Sequence, residues 1–309
     1  MEHPVPTAVA EPRRHHYVPR CWLAGFTDTG EKDGRLWVTD FIRRKQFQTV
    51  PGNAGLINDY YKLDEAPDPV VVERFFSTLE GLAAPVLKTL GSERRPPNDE
   101  ELDLLLQFIA YQWVRVPSFR PIILGVADRI TRERMAEELR TPGTWRAALI
   151  RAGIDPEEPG SDYESMKEFF ESGEYSVSAE TAWYLQRAFA GVDKILEGLR
   201  NRYWGTSFSP AGRLIASDNP VVLDGERNEM VGFGNAEVVI YPVSRHILLS
   251  GTTVRLKAPP MNFNYFATMN TMMLLRSEAQ AYSHIPDFPW MDETRHLQAD
   301  WQRFAKNRY

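Results

Sequence analysis

Hydrophobic and polar positions follow two different periods along the chain, and each change of period predicts a change of element. Alternating apolar residues on both sides of a polar tip at 43–45 are typical of a β-hairpin at about 35–50. From residue 72 to residue 90 the apolar positions recur at helical spacing, and Pro85 predicts a kink in that helix. Short β-branched runs between turn residues predict an antiparallel sheet at about 204–251. Helical spacing predicts further helices at 98–117, about 119–139, about 143–152, about 163–172, about 178–202, 263–282 and 292–307.

The order of these elements predicts a helix-rich α+β fold. It comprises an N-terminal β-hairpin, central helices and a C-terminal antiparallel sheet closed by helices. We expect residues 1–12, which are rich in proline, to form a flexible N-terminal arm. Residues 13–309 are expected to fold as a single α+β domain, because the segments at either end are too small to fold alone.

The helix predicted at 98–117 is apolar nearly all round, which is typical of a buried helix. Asn98 is its expected N-cap, and a proline ends it. Gln112 and Arg115 project between apolar neighbours, and a buried guanidinium needs a carboxylate or carbonyl partner. The pattern therefore indicates a buried polar centre on this helix. Glu80, on the flank of the preceding helix, is the expected salt-bridge partner of Arg115.

Composition and charge limit the binding partners and the cellular location that we expect for this protein. The formal net charge of −6 over 309 residues argues against binding DNA or an anionic membrane through bulk charge. Nucleic acid could still bind a local basic patch, and the hairpin tip at 43–45 is either such a patch or, as we favour, a solvated turn. The single cysteine, Cys21, excludes an intramolecular disulfide, favours a cytoplasmic location and is expected to be a buried, inert thiol. No membrane partner is expected, because no apolar run approaches about 20 residues.

Two adjacent histidines, His15 and His16, precede the first apolar segment. Neighbouring side chains of an extended segment point in different directions, so the two do not bind one metal ion together. One imidazole could still be a metal ligand or general base, and we favour His16, facing the centre around Gln112 and Arg115. His15 is then expected near solvent. In the structural alternative, one imidazole hydrogen-bonds the backbone and Tyr17 packs in the core.

The segment 217–220, Ser-Asp-Asn-Pro, lies between two β-type runs and is the second candidate. Aspartate and asparagine favour tight turns, and a residue before proline is extended, so one interpretation is a well-made turn. The other interpretation puts Asp218 and Asn219 at a strand end that faces a cleft. Ser217 is not expected to be a nucleophile, because no elbow motif surrounds it. The chain also lacks a phosphate-binding glycine loop, zinc-ligand spacing and a His-Glu-x-x-His motif.

The segments HHYVPRCWLAGF, GRLWVTDF, INDYYKLD, FIAYQWVRVP, ASDNPVVL and YPVSRHILL occur in this order. Together they resemble the bacterial family called domain of unknown function 4238, over about residues 15–280. The chain departs from the expected pattern at residues 20–22, which concerns packing more than chemistry. The family has no established reaction, so the resemblance implies no mechanism. By this resemblance, the pattern residues are His16, Tyr17, Pro19, Tyr61, Gln112, Arg115, Pro117, Ser217, Asp218, Asn219 and Pro220.

We expect the polar residues that packing alone does not explain to converge on one pocket. In this hypothesis His16 is a general base or metal ligand, and Asp218 orients it or binds the same divalent ion. Arg115 holds an anionic group such as a phosphate. The predicted catalytic residues are His16, Arg115, Asp218 and Asn219. The predicted supporting residues are Tyr17, Glu80, Gln112 and Ser217.

Such a set suits a metal-dependent hydrolase acting on a phosphoester, such as a nuclease in bacterial defence. The alternative is a non-catalytic binding or regulatory module. The same residues would then form a buried polar network that fixes the N-terminal segment and the sheet against the central helix.

Overall fold

The chain contains both helices and short antiparallel strands, which confirms the predicted α+β fold class. The computed structural model describes residues 13–63, 67–176, 178–226, 231–256 and 261–308, except the side chain of residue 307. The arm expected at residues 1–12 lies outside these residues. The helices are α1 (Arg20–Leu23), α2 (Val71–Glu93), α3 (Asp99–Arg115), α4 (Phe119–Glu138), α5 (Pro142–Arg151), α6 (Tyr163–Ser172), α7 (Thr181–Ala190), α8 (Val192–Arg200), α9 (Phe263–Arg276) and α10 (Trp301–Arg308). The strands are β1 (Arg14–His16), β2 (Leu36–Asp40), β3 (Lys45–Thr49), β4 (Leu56–Asn58), β5 (Tyr203–Phe208), β6 (Ala216–Ser217), β7 (Val222–Asp224), β8 (Val238–Ser244), β9 (Ile247–Thr252), β10 (Gln280–Ser283), β11 (Trp290–Met291) and β12 (Leu297–Gln298).

Helix α3 begins and ends where its sequence predicts. The side chain of Asn98 accepts a hydrogen bond from the backbone N–H of Glu101, whose carboxylate accepts one from the backbone of Asn98. This capping box satisfies two donors that the first turn of a helix otherwise leaves unpaired. The helix ends at Arg115, two residues before Pro117. Its buried side faces α2 and α8, so Gln112 and Arg115 lie inside the protein.

The predicted hairpin is confirmed, and it belongs to a four-stranded antiparallel sheet with the order β3-β2-β10-β6, here called the hairpin sheet. Its strand β10 was expected to continue the helix from 263. That helix ends because the hydroxyl of Ser277 donates to the carbonyl of Leu274, and the chain then turns into β10. Strand β6 was expected in the sheet at 204–251 but pairs with β10.

A second antiparallel sheet, with the order β5-β9-β8-β7, is here called the C-terminal sheet. It confirms the strand prediction for most of 204–251. Strands β8 and β9 are buried along most of their length, as expected for the centre of a sheet covered on both faces. The tight turn between them, residues 245 and 246, carries an arginine and a histidine. Strands β1 and β4 form a separate ladder that ties residues 14–16 to 56–58.

Two further predicted helices differ from the structure. The helix expected at 178–202 is divided into α7 and α8 at Gly191, a residue type that weakens a helix interior. The helix expected at 292–307 is confined to α10. The carboxylate of Asp292 accepts the backbone N–H groups of Thr294 and His296, and these local bonds favour a turn between β11 and β12 over a helix.

The described residues divide into two compact units. The larger comprises 13–118 and 189–308 and contains both sheets and all the candidate site residues. The smaller comprises 119–188 and is helical, with Trp145 at its centre, where the indole N–H donates to the carbonyl of Ser161 at 2.7 Å. Unfolding as one cooperative domain stays a prediction. No helix in the described part of the chain is long and apolar enough to cross a membrane.

Candidate functional site

Arg115, at the end of α3, is the centre of the buried polar group that the sequence predicts. Its side chain is 2% exposed, and its Nη1 donates to Oε1 of Glu80 at 2.8 Å, which confirms the expected salt bridge. Nη2 donates to the backbone carbonyl of His16, and the guanidinium lies 4.2 Å from the ring centroid of Phe76. The carbonyl of Arg115 in turn accepts the hydroxyl of Tyr61. Arg115 therefore ties α3 to α2, to β1 and to the segment after β4.

Burial disfavours a charged guanidinium, but here the surrounding groups outweigh it. Desolvation alone would lower the pKa of Arg115, whereas the nearby Tyr61 and Glu80 raise it above its ordinary value. The arginine is therefore charged, and its charge is balanced inside the protein by Glu80.

The structure exchanges the expected positions of the two histidines. His15 was predicted near solvent but is fully buried; its ring stacks on Tyr61 and its Nδ1 accepts the backbone N–H of Tyr61 at 2.9 Å. His16 is half-buried, and its Nδ1 donates to the carbonyl of Ala54 at 3.2 Å. The antiparallel β1–β4 pairing causes the exchange, because it turns His15 towards Tyr61 and presents only the carbonyl of His16 to Arg115. Burial lowers the pKa of His16 to about 4.

The segment at 217–220 is a tightly hydrogen-bonded turn. The buried carboxylate of Asp218 accepts the backbone N–H groups of residues 278–280 at 2.7–2.9 Å. Burial nevertheless raises the pKa of Asp218 to about 6. The hydroxyl of Ser217 donates to the carbonyl of Asn219 at 2.8 Å and accepts its backbone N–H at 3.2 Å. Asn219 also donates through Nδ2 to the carbonyl of Arg276. These bonds match the turn interpretation.

The candidate residues therefore form two groups. His16, Glu80 and Arg115 meet around the end of α3. Tyr17 belongs with Asp218, because burial and the nearby Asp218 charge raise the pKa of its phenol. Among the described residues, no hydrogen bond or ion pair joins His16 or Arg115 to Asp218. Nor do those residues hold a group of three or more His, Cys, Asp or Glu side chains arranged for a metal ion.

Gln112 lies with Arg115 on the buried side of α3 and is 1% exposed. Its amide lies beside the hydroxyl of Tyr241, and this contact opposes the rise that burial causes in the pKa of that phenol. Cys21 is buried close by, and burial followed by the charge of Glu80 raises the pKa of its thiol to about 12. The expectation of a buried thiol is confirmed, and the raised pKa disfavours the reactive thiolate.

Sequence reasoning missed a cavity of about 860 Å³ between the loop at 29–33, helix α2 and the β8–β9 turn. Arg94, Arg245 and His246 lie together on its wall, and we call these three residues the basic triad. Arg94 is exposed at the C-cap of α2, and the other two form the turn. The signal in the sequence was the pair Arg-His between two apolar strands, within the segment YPVSRHILL.

Hydrogen bonds fix the geometry of the basic triad. The Nδ1 of His246 lies 3.0 Å from the carbonyl of Ser209, which only accepts, so Nδ1 carries a proton. Its Nε2 then accepts Nε of Arg245 at 3.2 Å and Nη2 of Arg94 at 3.4 Å. Burial, supported by the two arginines, lowers the pKa of His246 and keeps the imidazole neutral. Arg245 also donates to the carbonyl of Thr27 at 2.7 Å.

Comparison with known proteins adds one finding. No curated protein and no solved structure matches the chain. A family model described as "Protein of unknown function (DUF4238)" matches residues 14–287, which include the Arg115 centre, the turn at 217–220 and the basic triad. This match covers well over half of the chain and agrees with the resemblance seen in the ordered motifs. The chain therefore belongs to the DUF4238 family of proteins of unknown function.

Proposed function

We propose that this protein is a non-catalytic binding module whose buried polar residues hold its N-terminal segment against the central helix. The observation that supports the proposal is the use of Arg115. Both terminal nitrogens of its guanidinium are occupied, one by the carboxylate of Glu80 and the other by the carbonyl of His16. A guanidinium bound in this way joins three segments of the chain, and its remaining nitrogen, Nε, is a buried atom without a hydrogen-bond partner among the described residues.

Asp218 supports the same proposal. Its carboxylate is 4% exposed and accepts three backbone N–H groups from residues 278–280. A carboxylate offers about four lone-pair positions, so three of them already have donors. Asp218 therefore acts as the acceptor that shapes the entry into β10.

Hydrolysis of a phosphoester remains the competing prediction from the sequence. It assigns His16 as general base and requires His16 and Asp218 to share a divalent ion. The bonds of these side chains, to Ala54 in one case and to residues 278–280 in the other, support separate structural roles.

A hydrolysis assay separates the two functions. Purified protein is analysed for bound metal and then incubated with RNA, single- and double-stranded DNA and a chromogenic phosphodiester, with Mg²⁺, Mn²⁺ or Zn²⁺ added. The variant His16→Gln is tested beside it, with His296→Gln as a matched control, because His296 is an exposed histidine far from α3 in sequence. A binding module shows no turnover that depends on His16. Cleavage that His16→Gln abolishes at an unchanged melting temperature, while His296→Gln retains it, would show that the protein is a hydrolase.

A further inference from the structure

We propose that the cavity beside α2 binds the phosphate group of a small organic phosphate, and that Arg94 and Arg245 hold that phosphate. This inference rests on the proposed binding function and adds the chemical class of the ligand. It places the ligand away from the buried Arg115 centre, on the wall formed by the basic triad.

The first argument is unbalanced charge. Arg94 and Arg245 both donate to Nε2 of the same imidazole, so two guanidinium groups lie close together. Neither forms an ion pair with any carboxylate in the described residues. The charge of Asp28 acts on Arg245 and opposes the fall that burial causes in the pKa of its guanidinium, but Asp28 forms no ion pair with it. Instead, Oδ1 of Asp28 accepts the backbone N–H groups of Thr29 and Arg35. Two like charges without a directly bonded carboxylate repel each other, and an oxyanion between them removes the repulsion.

Two basic residues beside the triad do have carboxylate partners. Arg95, the next residue after Arg94, forms ion pairs with Glu93 and Glu101 at 2.6 Å. Lys88, which also lines the cavity, pairs with Glu31 at 2.7 Å. Carboxylates are therefore present near the triad, but in the described residues neither of its arginines forms an ion pair with one.

The second argument is that the triad is held in place before any ligand binds. His246 is fixed by Ser209 on one side and packs closely on Gly212 on the other. Gly212 has a φ of +65°, and a Cβ there would come within 2.7 Å of the imidazole Cε1. The glycine thus permits the close packing that holds the ring. A fixed imidazole orients both arginines, which lowers the entropic cost of binding an anion.

Arg213 adds a further positive charge near the triad. Its Nε is a buried atom without a hydrogen-bond partner among the described residues. Burial, followed by the charges of Arg245 and Arg213, lowers the pKa of His284 to about 4, so that imidazole is neutral near pH 7 and adds no charge. The field of Arg213 adds to the attraction for an anion at the cavity wall.

The third argument is the size and lining of the cavity. Its volume of about 860 Å³ falls within the range of about 300–1,000 Å³ that is typical of small-molecule sites. The lining also includes apolar residues, namely Ala24, Ala84, Pro85, Leu87 and Val243, and the charged residues Glu31, Lys32, Asp33 and Lys88. A phosphate attached to an apolar or planar body, as in a mononucleotide, matches a lining that combines the basic triad with apolar side chains.

Isothermal titration calorimetry with adenosine monophosphate, adenosine, inorganic phosphate and a 5′-phosphorylated single-stranded oligonucleotide tests the proposal. The variants are Arg94→Gln and Arg245→Gln. Arg129→Gln is the matched control, because Arg129 is an exposed helical arginine in the smaller unit. Arg94 is itself exposed, so its variant is expected to fold even if Arg245→Gln does not.

We expect adenosine monophosphate to bind wild type and Arg129→Gln equally, and to bind Arg94→Gln about tenfold more weakly, as loss of a charge-assisted hydrogen bond predicts. Adenosine, which lacks the phosphate, is expected not to bind. The proposal is overturned if neither adenosine monophosphate nor inorganic phosphate binds at about 1 mM. Equal affinity in wild type and Arg94→Gln, or binding of the oligonucleotide alone, also overturns it. Failure here leaves the binding module intact with another ligand, whereas turnover dependent on His16 removes the module itself.

Discussion

The larger unit contains two arginine environments, one around Arg115 and one around Arg94 and Arg245. They differ in how the positive charge is balanced, and this difference distinguishes a structural role from a binding role. In both, a guanidinium donates to a histidine. At the end of α3, Arg115 donates to the backbone carbonyl of His16, and the carboxylate of Glu80 balances its charge. At the cavity wall, Arg94 and Arg245 donate to the imidazole of His246, and no carboxylate of the described residues forms an ion pair with either arginine. A charge that is neutralised inside the chain stabilises the fold, whereas an unbalanced pair beside a cavity is available to a ligand.

The largest expected effect is that of Arg115→Met. Removal of the guanidinium leaves the carboxylate of Glu80 without its partner and the carbonyl of His16 without its donor. Loss of one member of a buried ion pair typically lowers the free energy of unfolding by about 3–5 kcal/mol. Urea denaturation followed by circular dichroism measures it, with Arg129→Met as control. A loss below about 1 kcal/mol would mean that Arg115 is not a structural residue.

Asp218→Ala is expected to come second. It leaves three backbone N–H groups of residues 278–280 without an acceptor at the start of β10. Each unsatisfied buried donor costs about 1 kcal/mol or more, so we expect a loss of about 2–4 kcal/mol. Hydrogen exchange of these three amides gives the local readout, because they should exchange faster in the variant. Unchanged protection would contradict the role assigned to the carboxylate.

The pH dependence of stability provides a third, smaller effect. Because burial lowers the pKa of His16 from 6.5 to about 4, the unfolded chain binds a proton between these values and the folded chain does not. The contribution of His16 to the free energy of unfolding therefore falls as the pH is lowered from about 6.5 to about 4. After discounting for solvent screening of this half-buried ring, we expect about 1 kcal/mol.

Asp218 acts in the opposite direction over an overlapping range. Its pKa is raised from 3.8 to about 6, so the folded chain keeps a proton that the unfolded chain releases, and its contribution grows as the pH is lowered through this range. Urea denaturation at several pH values tests the contribution of His16. Because His16→Gln removes the histidine that is protonated on unfolding, its free energy of unfolding should fall less steeply than that of wild type as the pH is lowered from about 6.5 to about 4. An identical pH profile in the two proteins would mean that His16 is not desolvated.

The smallest expected effect completes the comparison. Arg94→Gln removes an exposed charge that has no carboxylate partner, so its free energy of unfolding should stay within about 0.5 kcal/mol of wild type. A gain within this range is consistent with relief of repulsion against Arg245. A loss of 2 kcal/mol or more, on the order of a lost buried hydrogen bond, would show that the triad is structural like Arg115.

Local pattern was enough to predict the Arg115 centre. Helical spacing alone showed that Arg115 would be buried on α3 and that Glu80 was its partner on α2, because both helices are regular and adjacent in the chain. The turn at 217–220 was also predicted by its residue types, although the partner that Asp218 holds was not.

The features that the sequence did not predict depend on contacts between segments that are distant in the chain. A period of two places His15 and His16 on opposite sides of β1, but only the register with β4 determines which one is buried. Strand β6 has two residues, too few for a periodic signal. The basic triad combines the end of α2 with the β8–β9 turn, and no single stretch of sequence shows that these residues meet.

The position of β10 has a consequence for how the protein is made. Strand β2 pairs on one side with β3, a few residues away, and on the other with β10, where Gln280 bonds Asp40 across 240 residues. During synthesis the hairpin therefore leaves the ribosome with one edge of β2 open, and that edge stays open until residues 280–283 have emerged. Pairing with a strand that is distant in sequence slows folding, and an open strand edge promotes association between chains. The nascent protein is thus exposed to association during the interval between the hairpin and β10, and a chaperone that covers the open edge of β2 would act in that interval.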